Sequence, residues 1–400
     1  MYNGISPQVC KTLEQLAIES GVNFKIVSHD SNNKGAGYSG EVIFVKLRDT
    51  KTHKETNVIV KQALKDQSLR DSLSIRDIYM NEIHFYSKVW PVLDKFQEQI
   101  PMQYRFQKLP KYLASVSNEN FEYLVMENLK FQHFQNLEKE VFLDKEHYEL
   151  IMREYGKFHG ISFAYKALYP EEYADLAQGL ASMFSHMVRT TDFFEKSIKY
   201  AFEICTEYFE PGVDDAVIEK LRLYLENGKE LFLESIEGKT KYTAITHGDC
   251  WSNNMMFKYD DSKKVTDVRF FDLQFAKDGS PCCDLSYCIY AGAPKDVLKN
   301  LDYYLQVYHD SLSETLKQFG CNSEDVYPLQ TLKKDWKRFC KIGIIFGTMV
   351  RKMKFTYELS DFTDVGNDEP EKVFQTDYDK DAFSKSVKDL FYHLVENDFF

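Results

Sequence analysis

The densest chemistry in this sequence lies in His247-Gly248-Asp249-Cys250-Trp251-Ser252-Asn253-Asn254, followed closely by Phe270-Phe271-Asp272-Leu273-Gln274. Phosphoryl transfer to an alcohol needs a carboxylate beside the nucleophilic hydroxyl. It also needs oxygen ligands for a metal that neutralises charge shared by the β- and γ-phosphates. Asp249 offers the first. Asn254, five residues further on across a tight loop, and Asp272, at the end of a strand-like run, offer the second. Both are hard oxygen donors suited to Mg2+.

Two earlier groups fit the same chemistry. Gly35-Ala36-Gly37-Tyr38-Ser39-Gly40 runs into the strand-like segment 41–47. Glycines without side chains let main-chain N–H groups approach and cover nucleotide phosphates. Lys61, inside the apolar run VIVKQAL, must aim its ammonium at a negative group, and Glu82 in IYMNEIHFY can hold it there. Taken singly, the glycine run reads as a hairpin, and the pair as an edge-strand lysine and a solvated glutamate. The ordered set of all three groups is what an ordinary polar turn does not explain.

Those residues need a frame. Ser6-Pro7 caps a short helix that Gly21 stops, and three strand-like segments follow at 22–28, 41–47 and 57–63. Between Ser74 and Leu93, Ile78, Glu82, Phe85 and Val89 recur at helical spacing, predicting one amphipathic helix, and 123–126 reads as a further strand. Past Glu127 the pattern turns helical. Ile151, Tyr155, Phe158 and Ser162 share a face within 144–165, and helices are predicted over 329–355 and 382–394. A strand-turn-strand island at 243–275 interrupts them. The residues alone therefore predict an α+β chain, with a small antiparallel-sheet unit over 1–127 and a mainly helical unit over 128–400. The acidic stretch Glu358 to Glu371 reads as a loop.

Composition narrows the partners. The 400 residues carry 50 Lys plus Arg against 62 Asp plus Glu, a formal charge of −12 that disfavours a broad grip on nucleic acid or anionic lipid. The apolar run Ile342 to Val350 is far short of the roughly 20 residues that span a bilayer. No basic-then-apolar leader opens the chain, and its eight cysteines show no CxxC spacing. A cytoplasmic location with free thiols is expected, with no nucleic acid, no membrane insertion and no protein partner indicated.

The HGDCWSNN segment resembles the HGDLW-x-NN pattern of the ecdysteroid kinase-like (CHK kinase-like) family, within the superfamily of protein-kinase-like small-molecule phosphotransferases that includes aminoglycoside phosphotransferases and choline kinases. The likeness extends through LVMENL (Leu124 to Leu129), REYGKFHGISFAY with His159, and DLQFAKDGSPCCDLSY with Asp284. It implies a two-lobed protein-kinase-like fold, with a small antiparallel-sheet lobe bearing one long helix and a larger, mainly helical lobe. ATP and Mg2+ are the implied cofactors. Asp249 is implied as catalytic base, Asn254 and Asp272 as metal ligands, and Lys61 with Glu82 as the phosphate-gripping pair. The glycine run (Gly35, Gly37, Tyr38, Ser39, Gly40) would cover the phosphates, and the main chain at Glu127, Asn128 and Leu129 would contact adenine. His247 and Asp284 would brace the catalytic loop, while His159 reads as a packed core residue.

The sequence departs from that pattern at Cys250, which replaces leucine as a small buried hydrophobe. At Gln274, choline kinases carry an acidic residue and the ecdysteroid kinase-like family commonly carries glutamine. The implied acceptor is a small-molecule alcohol, an ecdysteroid or a hydroxylated xenobiotic, with the aromatic helical region 165–209 as one candidate pocket wall. Two alternatives stay open on the same residues: a choline or ethanolamine kinase, and a pseudokinase or steroid-binding module without turnover.

Overall fold

The strand-like segments carry short apolar runs of Val, Ile and Phe, and burial alternates along residues 40–49, so that strand buries one face more deeply than the other. A computed structural model describes residues 7–19, 24–31, 40–118, 121–137, 142–190, 192–357 and 376–400. Ser6, Gly21, the glycine positions 35–39 and the acidic stretch 358–371 lie outside them.

The first part contains α1 (Pro7–Glu19), β1 (Phe24–Ser31), β2 (Gly40–Asp49), β3 (Glu55–Ala63), α2 (Gln67–Ser72), α3 (Ile75–His84), α4 (Trp90–Gln97), β4 (Tyr112–Asn118) and β5 (Phe121–Glu127). Its strands form an antiparallel sheet in the order β1-β2-β3-β5-β4. Val58 and Val60 of β3 face α1 together with Tyr123 and Val125 of β5. Lys61 falls on the opposite pleat, paired across the ladder with Leu124, and so faces α3.

β6 (Gln135–Asn136), α5 (Lys145–Leu168), α6 (Pro170–Gln178), α7 (Met183–Thr190), α8 (Asp192–Thr206) and α9 (Asp215–Glu237) come next. Short strands β7 (Ala244–Thr246), β8 (Met255–Tyr259), β9 (Val265–Phe270) and β10 (Lys277–Gly279) make up the island between helices. The chain ends through α10 (Pro281–Tyr290), α11 (Lys295–Lys299), α12 (Leu301–Gln318), α13 (Ser323–Val326), α14 (Leu329–Phe339), α15 (Lys341–Phe355) and α16 (Lys380–Glu396). The architecture is α+β as expected.

Three local readings change. The single helix expected from Ser74 to Leu93 is α3 and α4 joined by a π-helical turn at Phe85–Val89, just before Pro91, whose ring nitrogen cannot donate to the helix ladder. The helix expected over 329–355 breaks at Cys340. There the Ser235 hydroxyl enters the ladder, donating to Phe339 O at 2.6 Å and accepting Ile342 N–H at 3.3 Å. Strand β4 was not expected. Its LASVS run is half-buried on a sheet edge and carries little apolar signal.

Candidate active site

Lys61 and Glu82 meet because the pleat sends one toward α3 while the other sits on the buried stripe of that helix with Ile75, Ile78 and Tyr79. Lys61 Nζ lies 2.7 Å from Glu82 Oε2, touches Asp272 Oδ1, and reaches Gln274 Oε1 at 3.4 Å. Burial pulls the lysine pKa down, but the charges of Asp272 and Glu82 outweigh it and hold the ammonium protonated. Glu82 is raised too, to about 7, because burial and the neighbouring Asp272 charge outweigh the attraction of Lys61. Two carboxylates share one cation.

The loop after β7 brings Asp249 to the same place. Gly248 has φ 84°, and a Cβ there would collide with the Phe275 carbonyl, so only glycine permits the turn. His247 is buried, accepts Asp249 N–H on Nδ1 at 3.2 Å, and donates from Nε2 to Phe271 O at 3.1 Å. Burial lowers its pKa, so the ring is a neutral brace between two loops rather than a group reaching a reacting atom. Asp284, in the first turn of α10, accepts His247 N–H at 2.7 Å and Gly248 N–H at 2.9 Å. His159, fully buried, lies 3.2 Å from Asp284 and 3.1 Å from the Tyr308 hydroxyl.

Asn254 and Asp272 are joined through the backbone, Phe271 N–H donating to Asn254 O at 3.2 Å. Asn254 Nδ2 donates to Asp249 Oδ2 at 2.7 Å and to Asp249 O at 3.0 Å, bonds that do not use its Oδ1. Burial and the Asp272 charge push the Asp249 carboxyl up to about 7, partly offset by bonds from Tyr287 and Asn254. One amide oxygen and one carboxylate, with a cationic amine beside them, fit a Mg2+ that draws its remaining ligands from phosphates and water. No cluster of three His, Cys, Asp or Glu that could hold a metal alone occurs among the described residues.

The other residues expected to meet the nucleotide are partly described. Gly40 opens β2, where a side chain would meet Gln62 O and the Tyr79 hydroxyl; Gly35, Gly37, Tyr38 and Ser39 fall outside the described residues. Glu127 N–H donates to Lys111 O at 3.0 Å and Asn128 N–H to Asn57 O at 3.1 Å. Leu129 starts a 3-10 turn whose Asn128 cap accepts Lys130 N–H on its side chain. Leu129 packs with Phe134, Met256 and Phe271 in a small apolar cluster.

Sequence reading missed two residues. Tyr287 stacks on Phe346 at 4.6 Å and its hydroxyl bonds to Asp249. Asn81, beside Glu82, ties α3 to the loop after Asp272. The first had a signal, lying three residues beyond Asp284 on one helix face; the second had none.

A sheet lysine paired with a helix glutamate, facing a His-Gly-Asp loop and a second aspartate from a helical unit, defines a protein-kinase-like class of fold. The chain belongs to the ecdysteroid kinase-like family, whose model matches residues 34–321. Similar solved structures include the GDP complex of wild-type aminoglycoside 2'-phosphotransferase-IIIa, 13% identical with a TM-score of 0.40 over 98% of this chain and 100% of that one. Choline kinase from Cryptosporidium parvum Iowa II is 11% identical with a TM-score of 0.41, covering 98% of each chain. No curated protein matches the chain at a significant level.

Proposed function

We propose that this protein transfers the γ-phosphate of Mg·ATP to a hydroxyl of a small molecule, an ecdysteroid or a related hydroxylated compound. The observation that carries the reading is the convergence of Lys61, Glu82 and Asp272 on one point, with the Asp249–Asn254 pair bonded alongside. Lys61, steadied by Glu82, would hold the α- and β-phosphates, and the glycine run 35–40 would cover them. Leu129 N–H would meet the base.

Asn254 and Asp272 would hold Mg2+, which when bound neutralises charge on the β- and γ-phosphates. Asp249 would accept the acceptor's hydroxyl proton as the oxygen bonds to the γ-phosphorus. The bond from that phosphorus to the β–γ bridging oxygen breaks, and ADP leaves. His247 and Asp284 would keep the loop aligned throughout.

An apolar ring system as acceptor would lie against the aromatic cluster beside Asp249, whose rings are themselves buried in the core. Tyr287 stacks on Phe346, Phe346 lies 4.8 Å from Phe184, and Phe184 stacks on Phe275 at 3.9 Å. Among the described residues no helix is long and apolar enough to cross a membrane, so membrane anchoring through such a helix does not enter this reading.

Incubation with Mg·ATP and either ecdysone or choline, followed by mass spectrometry, tests this proposal. The ecdysteroid is expected to gain one phosphoryl group while choline does not. Phosphorylation of choline alone would replace the acceptor class, and Mg·ATP binding without product from either would favour a binding module.

A further inference from the structure

Asn81 is 4% exposed on α3, adjacent to Glu82. Its Nδ2 donates to Gln274 O at 3.0 Å and to Ala276 O at 2.9 Å, and its Oδ1 accepts Ala181 N–H at 2.8 Å. A side-chain amide offers two donors and one carbonyl oxygen, and here every one of these groups is engaged. The three bonds join the helix bearing Glu82, the loop that leaves Asp272, and the segment leading into α7.

A second contact closes the same triangle. Phe275 lies between the two carbonyls that Asn81 holds, and Phe184 of α7 stacks on it at 3.9 Å with planes 3° apart. Phe184 continues to Phe346 and then to Tyr287, whose hydroxyl bonds to Asp249. An unbroken run of packed and hydrogen-bonded groups therefore connects the Lys61–Glu82–Asp272 cluster to this buried aromatic cluster. Buried amide bonds of this kind have few alternative arrangements, because a broken one leaves an orphaned polar group.

We infer that Asn81 is a positioning residue that couples nucleotide loading to the ordering of α7. Lys61 and Asp272 contact each other directly. A nucleotide that engages both must change that contact and load the segment from Asp272 to Ala276. Asn81 passes the change to Ala181 N–H, and α7 tightens over the acceptor side before the acceptor arrives. The inference rests on the nucleotide-binding reading given above.

Hydrogen exchange of the full chain with and without Mg·ADP, alongside a calorimetric titration of the same samples, tests the coupling. In the wild type, Mg·ADP is expected to slow amide exchange in 183–190 by roughly five-fold or more, the lower end of measured couplings between sites. Ala181→Pro removes the donor N–H and leaves Asn81 bonded to Gln274 and Ala276. It should bind Mg·ADP with wild-type affinity yet lose the protection of α7. Asn81→Ala should lose it as well. A role in folding alone would not make exchange at α7 depend on nucleotide. Protection that persists in both variants overturns the inference, as does its absence from a wild type that binds Mg·ADP. A wild type that shows no binding heat overturns the nucleotide reading together with it, and the titration distinguishes that case.

Discussion

Two buried charge clusters in this molecule are built on opposite plans. At the candidate site, the carboxyls of Glu82, Asp272 and Asp249 surround one ammonium, that of Lys61. On α15, Arg351, Lys352 and Lys354 are buried cations, and none forms an ion pair with a carboxylate among the described residues. Arg351 donates to Tyr290 O at 2.8 Å and Ala293 O at 2.9 Å, and also to the Ser386 hydroxyl. Lys352 donates to Thr376 O at 3.2 Å and sits 3.7 Å from the Tyr378 ring centroid, and Lys354 lies over Phe142 at 4.8 Å.

The α15 cations meet carbonyl dipoles and ring faces that belong to the fold. Those at the end of α10 meet the negative end of a helix dipole as well. Burial still lowers Arg351 to about 10 and Lys352 to about 8, and burial with the Arg351 charge lowers Lys354 to about 8. The Lys61 cluster instead keeps an excess of negative charge, with Asn254 bonded to Asp249 alongside. Arg351 holds the C-terminal end of α10, while Asp284 at its first turn holds the 247–254 loop. The first plan is a clamp, and the second leaves carboxylates in excess of cations, as the proposed Mg·ATP site requires.

The contrast can be broken first at the candidate site. Asp249→Asn should lower turnover by roughly 10²- to 10⁴-fold while Mg·ATP binding persists, since it removes proton acceptance and keeps the shape of the side chain. Steady-state kinetics with a verified acceptor checks this, and near-normal turnover would remove Asp249 from its role. At α15 the loss should fall on stability instead. Arg351→Ala orphans two buried carbonyls and should cost about 3 kcal/mol in urea unfolding, with the turnover of the protein that remains folded unchanged. An unmoved unfolding midpoint would mean the clamp is dispensable.

A smaller, pH-dependent effect sharpens the same comparison. Burial and the Arg351 charge lower His393 to about 4, below its ordinary 6.5. Between those pH values the unfolded chain binds a proton that the folded one refuses. Stability is therefore complete above about pH 6.5 and falls as the pH drops toward 4, by about 2 kcal/mol at pH 5. His393→Gln should flatten thermal stability between pH 5 and pH 7. A variant that keeps the wild-type slope would assign the acid sensitivity to other groups.

Much of the site was legible because its chemistry is local. The loop 247–254 needs a glycine, an aspartate and an asparagine within one turn, and neighbouring covalent positions can specify that. The three sheet strands near the start were equally plain, since Val, Ile and Phe concentrate in them and polar turns separate them. The kink at Cys340 was not, because its cause is Ser235, more than a hundred residues earlier. β4 was silent because an edge strand needs little apolar surface.

By itself the sequence determined which functional groups exist and in what order: a lysine on a strand, a glutamate on a helix stripe, and two acidic loops further on. Only the tertiary structure decided that Lys61 and Asp272, 211 residues apart, share one point, and that Asn81 turns inward to hold three segments. Spacing along the chain fixes partners only within a turn, a strand pair or one helix face. Between elements, the packing of buried faces sets the distances, and no local pattern records them.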